Sequence, residues 1–456
     1  MFASVGATFS ATAYLKSVGS TEYISQMAVF LMLLSWSSPI ETAIGNLVLH
    51  NGRYNQSAKG KKNGLGFPIF YRVVVGSVLL TMVFYTYAWG SLEINNEATL
   101  IIVLLFIVRM TEYALKTKAI IVDKIKSAQI YINGFSAFKW GGSTVLFAFG
   151  YVDFCSLLTS HIIFGLVDCY ILNKICAIEY FPENKIGAES ELKRQEALSV
   201  IGIVLGVGAF QLDKLAAGYF LDSYAFGQYV LMCSLVFIGP FLLNPIFSLY
   251  QQNIVRDKNK LMDTGVSILR LVSIVVFVFT LPMLTIVTGL SASKGTFVVD
   301  SQVGFVALAS FLNCMAHSDY LRYQAEGRLD LILKQNVASL LTGLLSLMIV
   351  FLMGVEEFSY VLASAAMGQY IFGVFKRKES VTNKRLYKLN FICIPLVVPC
   401  ALLNSVDWPP NFPLFSLEIT FAITLIFIAY KLELWGFCEK RNDYLNDLRS
   451  FLVRGS

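Results

Sequence analysis

Apolar windows of about 20 residues, the length that crosses a hydrocarbon core as an α-helix, recur along the whole chain with short polar connections between them. Read in order, they predict fourteen spans: 2–15, 24–49, 66–89, 100–115, 130–149, 155–175, 198–221, 228–250, 264–289, 303–321, 335–354, 358–375, 389–404 and 414–436. In hydrocarbon every backbone polar group needs an internal partner, so helices are the structure expected of such windows.

The connections differ in charge. With the N-terminus in the cytoplasm, most of the 36 Lys and Arg residues fall on alternate connections, among them Lys59, Lys61 and Lys62, Lys116 and Lys118, Arg256 and Lys258, and Lys376, Arg377 and Lys378. Only Lys16 and Lys294 fall on the opposite connections. The positive-inside rule then places both termini in the cytoplasm and requires an even number of spans. The outer connections are too short to house a catalytic domain. No cleavable signal peptide is expected, because residues 2–15 lack a basic start and run directly into Lys16.

The longest inner connection, 176–197, is polar, carries Pro182 and Gly187, and follows six spans. It reads as the linker between two halves. A repeat supports this: the pairs Tyr23 and Pro39, Tyr229 and Pro245 have the same spacing and the same context of outer turn, span and basic inner loop. Spans 1 and 2 then correspond to spans 7 and 8, a parallel repeat about the membrane normal. The expected fold is an all-α polytopic membrane protein, with two six-helix bundles around a central cavity and a C-terminal helix pair. Its divisions are an N-terminal bundle over 1–180, a cytoplasmic linker over 181–197, a second bundle over 198–378, and the added pair with its tail over 379–456.

Composition narrows the function. Of 456 residues, 56% are hydrophobic and 14% charged, and the mean hydropathy is +0.64; ordinary soluble chains carry about a quarter charged residues. This excludes a soluble globular enzyme. The net charge of +6 is spread over the inner loops, so it is an insertion and anionic-lipid signal, with no nucleic-acid partner expected. The eight cysteines form no Cys-x-x-Cys pair and read as small buried hydrophobes. Phosphate-loop, zinc-protease and serine-hydrolase motifs are missing, so neither an enzyme, nor a cofactor, nor a metal site is expected, and transport energy would come from an ion gradient or a downhill substrate.

Charges inside spans carry the candidate chemistry. A charge at the bilayer centre costs about 2.5 to 3.5 kcal/mol on insertion scales, so each should face a cavity or a partner. At about 1.5 Å per residue, Arg109 and Lys139 lie near the middle of a core about 30 Å thick. Arg109 shares a helix face with Glu112, so the two read as an ion pair, a substrate or proton site, or both. Lys139 has no acidic residue within a helical turn; it is expected as an open cationic site, with a partner on another helix as the alternative. Arg72, Arg270 and Lys431 lie near enough to the inner interface to snorkel, and Arg270 is kept as a substrate-binding candidate. Lys214 lines one face with Gln211 and Gly218, and it too is a substrate candidate. Asp213, Glu112 and Asp168 are the ion-coupling candidates; for Asp168 a hydrogen-bonded structural role stands beside the coupling one, as it does for His161. Gly202 and Gly206 are spaced for close helix packing. His317 and Asp319 read as boundary residues.

Two stretches carry a resemblance. The run Gly208-Ala209-Phe210-Gln211-Leu212-Asp213-Lys214-Leu215-Ala216-Ala217-Gly218-Tyr219-Phe220-Leu221, followed by Tyr224-Ala225-Phe226-Gly227-Gln228-Tyr229, resembles the turn between the seventh and eighth helices of polysaccharide flippases. Tyr14-Leu15-Lys16-Ser17-Val18-Gly19-Ser20-Thr21-Glu22-Tyr23 is similar to the matching turn after their first helix. The resemblance is to Wzx-type O-antigen or capsule-unit flippases of the multidrug/oligosaccharidyl-lipid/polysaccharide exporter superfamily. It implies a multi-pass protein of the bacterial inner membrane that flips an undecaprenyl-diphosphate-linked oligosaccharide. The implied partners are that substrate, membrane lipids and other glycan-assembly proteins. A diphosphate needs sheltered cations, Arg as a bidentate fork or Lys as a point charge, and Arg109 and Lys139 lie at the right depth. The first span, at 14 residues, is shorter than the family pattern. A drug/cation antiporter of the same superfamily is the second reading, favoured by an acidic cavity; a polytopic glycan polymerase or acyltransferase is a third.

Overall fold

The computed structural model describes residues 30–31, 96–121, 125–150, 154–176, 189–236, 302–326, 328–354 and 357–376. They form eight long helices: α1 (Asn96–Ile121), α2 (Ile125–Ala148), α3 (Phe154–Cys176), α4 (Glu189–Phe220), α5 (Ser223–Val236), α6 (Gln302–Glu326), α7 (Leu329–Met353) and α8 (Ser359–Lys376). Each overlaps an apolar window read from the sequence, α5 within the described residues taking in only the first part of 228–250. The helices overrun those windows where the flanking residues are polar but helix-forming. In α4 the overrun changes a boundary: residues 181–197 are expected as a linker, yet the chain is helical from Glu189 onward. Glu-Ser-Glu-Leu-Lys-Arg-Gln-Glu-Ala is rich in good helix formers, and a hydropathy window ignores them.

Local chemistry sets the ends. Asp222 Oδ1 accepts the Ala225 N–H at 2.8 Å, an N-cap that starts α5 two residues after α4 stops. Gly354 closes α7 at φ 63°, a left-handed conformation that suits glycine, and its N–H donates to the Phe351 carbonyl at 3.2 Å.

The chain groups into two compact units. The first holds α1, α2, α3, most of α4 and α5, and Leu329–Leu333; the second holds α6, α8 and α7 from Lys334, with Ala209–Asp213. In the first, α3 packs along both α1 and α2, which touch one another little. Cys169 and Cys176 donate their thiols to the carbonyls of Val108 and Leu115 at 3.6 and 3.7 Å, each pair separated by 61 residues. A constant offset means that α1 and α3 run parallel. Leu115, Ala119, Ala128, Ile132, Leu172 and Cys176 close one end of this unit. Gly202 of α4 lies against the Leu333 backbone, where an added Cβ would sit at 3.4 Å, so this glycine makes a close helix approach.

The second unit carries a buried network of neutral hydrogen bonds. Gln335 Nε2 donates to the carbonyls of Gln369 and Ala316 at 3.3 and 3.5 Å, Ser339 Oγ to the Ala365 carbonyl at 2.8 Å, and Gln369 Nε2 to Asn336 Oδ1 at 3.1 Å. Asp319, expected at a boundary, is buried instead: it packs on Gly373, whose missing side chain leaves room for the carboxyl. His317 stacks on Tyr320 with ring centroids 5.6 Å apart.

Both units bury polar side chains among apolar ones and expose an apolar outside. On α7, Gln335, Asn336 and Ser339 are buried while Leu341, Leu344, Leu345 and Met348 are exposed; on α3, Ser160, His161 and Asp168 are buried while Ile163, Leu166, Val167 and Tyr170 are exposed. An apolar exterior of this kind suits hydrocarbon rather than water.

Candidate functional site

Three helices of the first unit bring one ammonium and two carboxylates together. Lys139 Nζ on α2 lies 2.6 Å from Glu112 Oε2 on α1 and 3.7 Å from Asp168 Oδ2 on α3. The lysine side chain is 11% exposed, Glu112 18% and Asp168 0%. Lys139 donates a charge-assisted hydrogen bond to Glu112. Asp168 differs, because neither of its oxygens accepts a hydrogen bond. A wholly buried carboxyl without one is unusual, and here it stands next to a cation already engaged by another carboxylate.

The helices converge because small residues flank the charges. Gly165 is three residues before Asp168, and a Cβ there would come within 2.5 Å of Val108 Cγ1. Gly142 is three residues after Lys139, and a Cβ there would meet Ser160 Oγ at 2.7 Å and Phe164 Cε2 at 2.9 Å. Ser160 Oγ donates to the Lys139 carbonyl at 2.8 Å, which pins α3 to α2 at the lysine itself. Next to it, His161 Nδ1 lies 3.1 Å from the Leu157 carbonyl, to which it donates. The imidazole is held edge-on by Phe30 and Trp140, with centroids 4.7 and 4.9 Å away.

These positions revise the reading of the sequence. Lys139 is not an open cationic site; it is paired across helices with Glu112, 27 residues away, a partner invisible to a search within one helical turn. Glu112 correspondingly reaches beyond Arg109, its neighbour on the same face, although the Arg109 charge also acts on it. Arg109 itself is partly exposed on α1. Asp168 joins this set through Lys139, 3.7 Å away. Asp213 is fully buried and Lys214 partly exposed, both on α4, while Arg270 lies outside the described residues, as does most of the internal repeat. The sequence does not single out Gly165, Gly142 or Ser160; the signal it holds is a glycine three positions from Lys139 and from Asp168. Among the described residues, no group of three or more His, Cys, Asp or Glu could hold a metal ion.

Chemically, two carboxylates face one ammonium, and the charges of Arg109 and Lys116 act on them as well. One proton gained or lost changes the charge of this buried set by one. A cation already flanked by two carboxylates is less suited to gripping a phosphate.

The sequence matches no protein-family model and no curated protein. The fold, in contrast, is shared with solved structures over most of both chains. The lipid II flippase MurJ, in an inward closed conformation, aligns with a TM-score of 0.54 at 12% identity, covering 96% of this chain and 97% of that one. The eukaryotic MATE transporter AtDTX14 aligns at 0.55 and 14%, covering 85% and 96%. A MOP superfamily transporter from Pyrococcus furiosus, for which a binding pocket of reversed polarity is described, aligns at 0.53 and 10%, covering 87% and 93%. Identities this low speak for the fold alone. The chain thus has the helical, multi-pass membrane fold of the MOP superfamily transporters, in agreement with the helical polytopic class read from its hydropathy.

Proposed function

We propose that this protein is an ion-coupled flippase, moving an undecaprenyl-diphosphate-linked oligosaccharide unit to the outer leaflet of a bacterial inner membrane for O-antigen or capsule assembly. The observation that carries the reading is the buried Glu112–Lys139–Asp168 cluster inside a bundle of this fold. Charges at that depth are expensive, and a scaffold gives no reason for them. The likeness to a lipid II flippase along nearly the full length of both chains supports a lipid-linked substrate. So does the α4 to α5 turn, which carries the flippase-like run and is capped by Asp222.

In this reading Glu112 and Asp168 couple transport to an ion, with Asp213 a further coupling candidate. Arg109, Lys214 and Arg270 are the candidate diphosphate contacts, and Lys139 belongs with the coupling groups. Both termini lie in the cytoplasm, and membrane lipids and other glycan-assembly proteins are the partners. The acidic pair beside Lys139 favours a second reading, a drug/cation antiporter, since two neighbouring carboxylates suit a cationic cargo.

Deletion of the gene in its native host separates the two. The flippase reading requires complete, unpolymerised lipid-linked units to accumulate on the inner leaflet. Normal surface glycan together with new sensitivity to cationic drugs would overturn it in favour of the antiporter.

A further inference from the structure

In the second unit α6 and α8 run parallel and begin side by side. Phe305 meets Tyr360 edge-on with ring centroids 4.2 Å apart, and Asp319 packs on Gly373 further along; the two pairs are separated by 55 and 54 residues, a nearly constant offset. The orientation proposed above puts the shared start of these helices on the outer side. Phe305, Glu357 and Tyr360 are only partly buried there. The Tyr360 hydroxyl donates to the Glu357 carboxylate, and the Tyr360 N–H donates to the Glu357 carbonyl at 3.4 Å, so the acid is held through both its side chain and its backbone. Phe358, 2% exposed, anchors the turn beside it.

Two buried polar side chains complete the group. Gln302 lies about one turn before Phe305 on α6. Ser359 lies about four turns before Gly373, and so on the face of α8 that packs on α6; it is 0% exposed and its Oγ has no hydrogen-bond partner. A wholly buried hydroxyl without one is uncommon, and it fits a position that a ligand completes. Aromatic carbons, one fixed carboxylate, an amide and a hydroxyl are the groups that hold a sugar: the rings pack on its C–H face, and the polar atoms bond its hydroxyls. A carboxylate bonded by one tyrosine keeps lone pairs for further hydroxyl donors, and such bonds to an ionised acceptor are the strong ones. The same carboxylate repels a diphosphate.

We propose that the outer end of α6 and α8 is a saccharide subsite, where Glu357 and Ser359 bond sugar hydroxyls and Phe305 and Tyr360 pack on the sugar ring. It would hold the oligosaccharide portion of the lipid-linked substrate on the outer side, and it rests on the flippase reading and its orientation. The diphosphate stays with the cationic contacts named above.

The test is binding of oligosaccharide hydrolysed from the host's own surface glycan, free of lipid and phosphate, to the purified full-length protein in lipid nanodiscs, followed by calorimetry and saturation-transfer NMR. Inorganic pyrophosphate and calcium chloride serve as competing probes. The sugar is expected to bind, with affinity falling about tenfold or more in Glu357→Gln and severalfold in Tyr360→Phe, unchanged in Gln335→Met, and indifferent to both competitors. No binding by the native protein, unchanged affinity in either Glu357→Gln or Tyr360→Phe, or displacement by pyrophosphate or calcium would overturn the proposal. Tyr360→Phe keeps the ring pair and removes only the hydroxyl, so it decides even where Glu357→Gln does not fold. Transport does not enter the measurement. Sugar binding lost in these variants, together with normal glycan export in the deletion strain, would overturn the flippase reading and leave the subsite standing; no binding, with lipid-linked units accumulating in that strain, would overturn the subsite alone.

Discussion

The two units solve one problem in different ways. Each buries polar side chains in a bundle whose outside is apolar, but the second does so with Gln335, Gln369, Asn336 and Ser339, joined by neutral hydrogen bonds to one another and to backbone carbonyls. The first buries Lys139 between Glu112 and Asp168. Neutral amides tie helices together at little cost and have one resting arrangement. An ammonium between two carboxylates makes a set whose charge a single proton changes. The amide network of the second unit is packing; the charged cluster of the first is the proposed site of chemistry, and Asp213 and Asp319, both buried in the second unit, stand outside that network.

The contrast is broken most severely at Lys139. Removing it in Lys139→Met leaves two carboxylates buried without their cation, and taking away one partner of a buried pair costs about 3–5 kcal/mol. Thermal unfolding in detergent should show a loss of that order. A change within about 1 kcal/mol would mean that the lysine behaves as a surface charge. Gly165→Val comes next. Its side chain would collide with Val108, and overpacking of this kind costs about 1–3 kcal/mol. The same unfolding assay should register the loss, along with slowed transport, because α3 can no longer bring Asp168 up to α1. Unchanged stability in Gly165→Val would show that the seam between these helices is looser than the contact implies.

Much of the fold was legible before any coordinates. Hydropathy windows find α1, α2, α3 and α6 to α8 to within a few residues because burial in lipid demands long apolar helices. They fail at the start of α4, where Glu189 to Ala197 is helical through propensity rather than apolarity. Likewise, Lys139, Glu112 and Asp168 stand out one at a time as charges inside predicted spans. The sequence could not pair them, since Glu112 and Lys139 are 27 residues apart and meet only through helix packing. Nor does hydropathy reveal why they meet. Gly165, Gly142 and Ser160 are small residues whose importance appears only once a neighbouring helix is seen against them.

The most direct test of the assignment is a paired measurement of substrate export in the native host, with membrane expression controlled, for Asp168→Asn and Gln335→Met. Asp168→Asn keeps the shape of the side chain and leaves the Lys139–Glu112 pair intact, so the account predicts a folded protein that no longer exports. Gln335→Met loses two hydrogen bonds worth about 1 kcal/mol in all, so it should be slightly less stable and still export. Normal export by Asp168→Asn, or loss of export by a well-expressed Gln335→Met, would contradict the division between a functional charged cluster in the first unit and a structural amide network in the second.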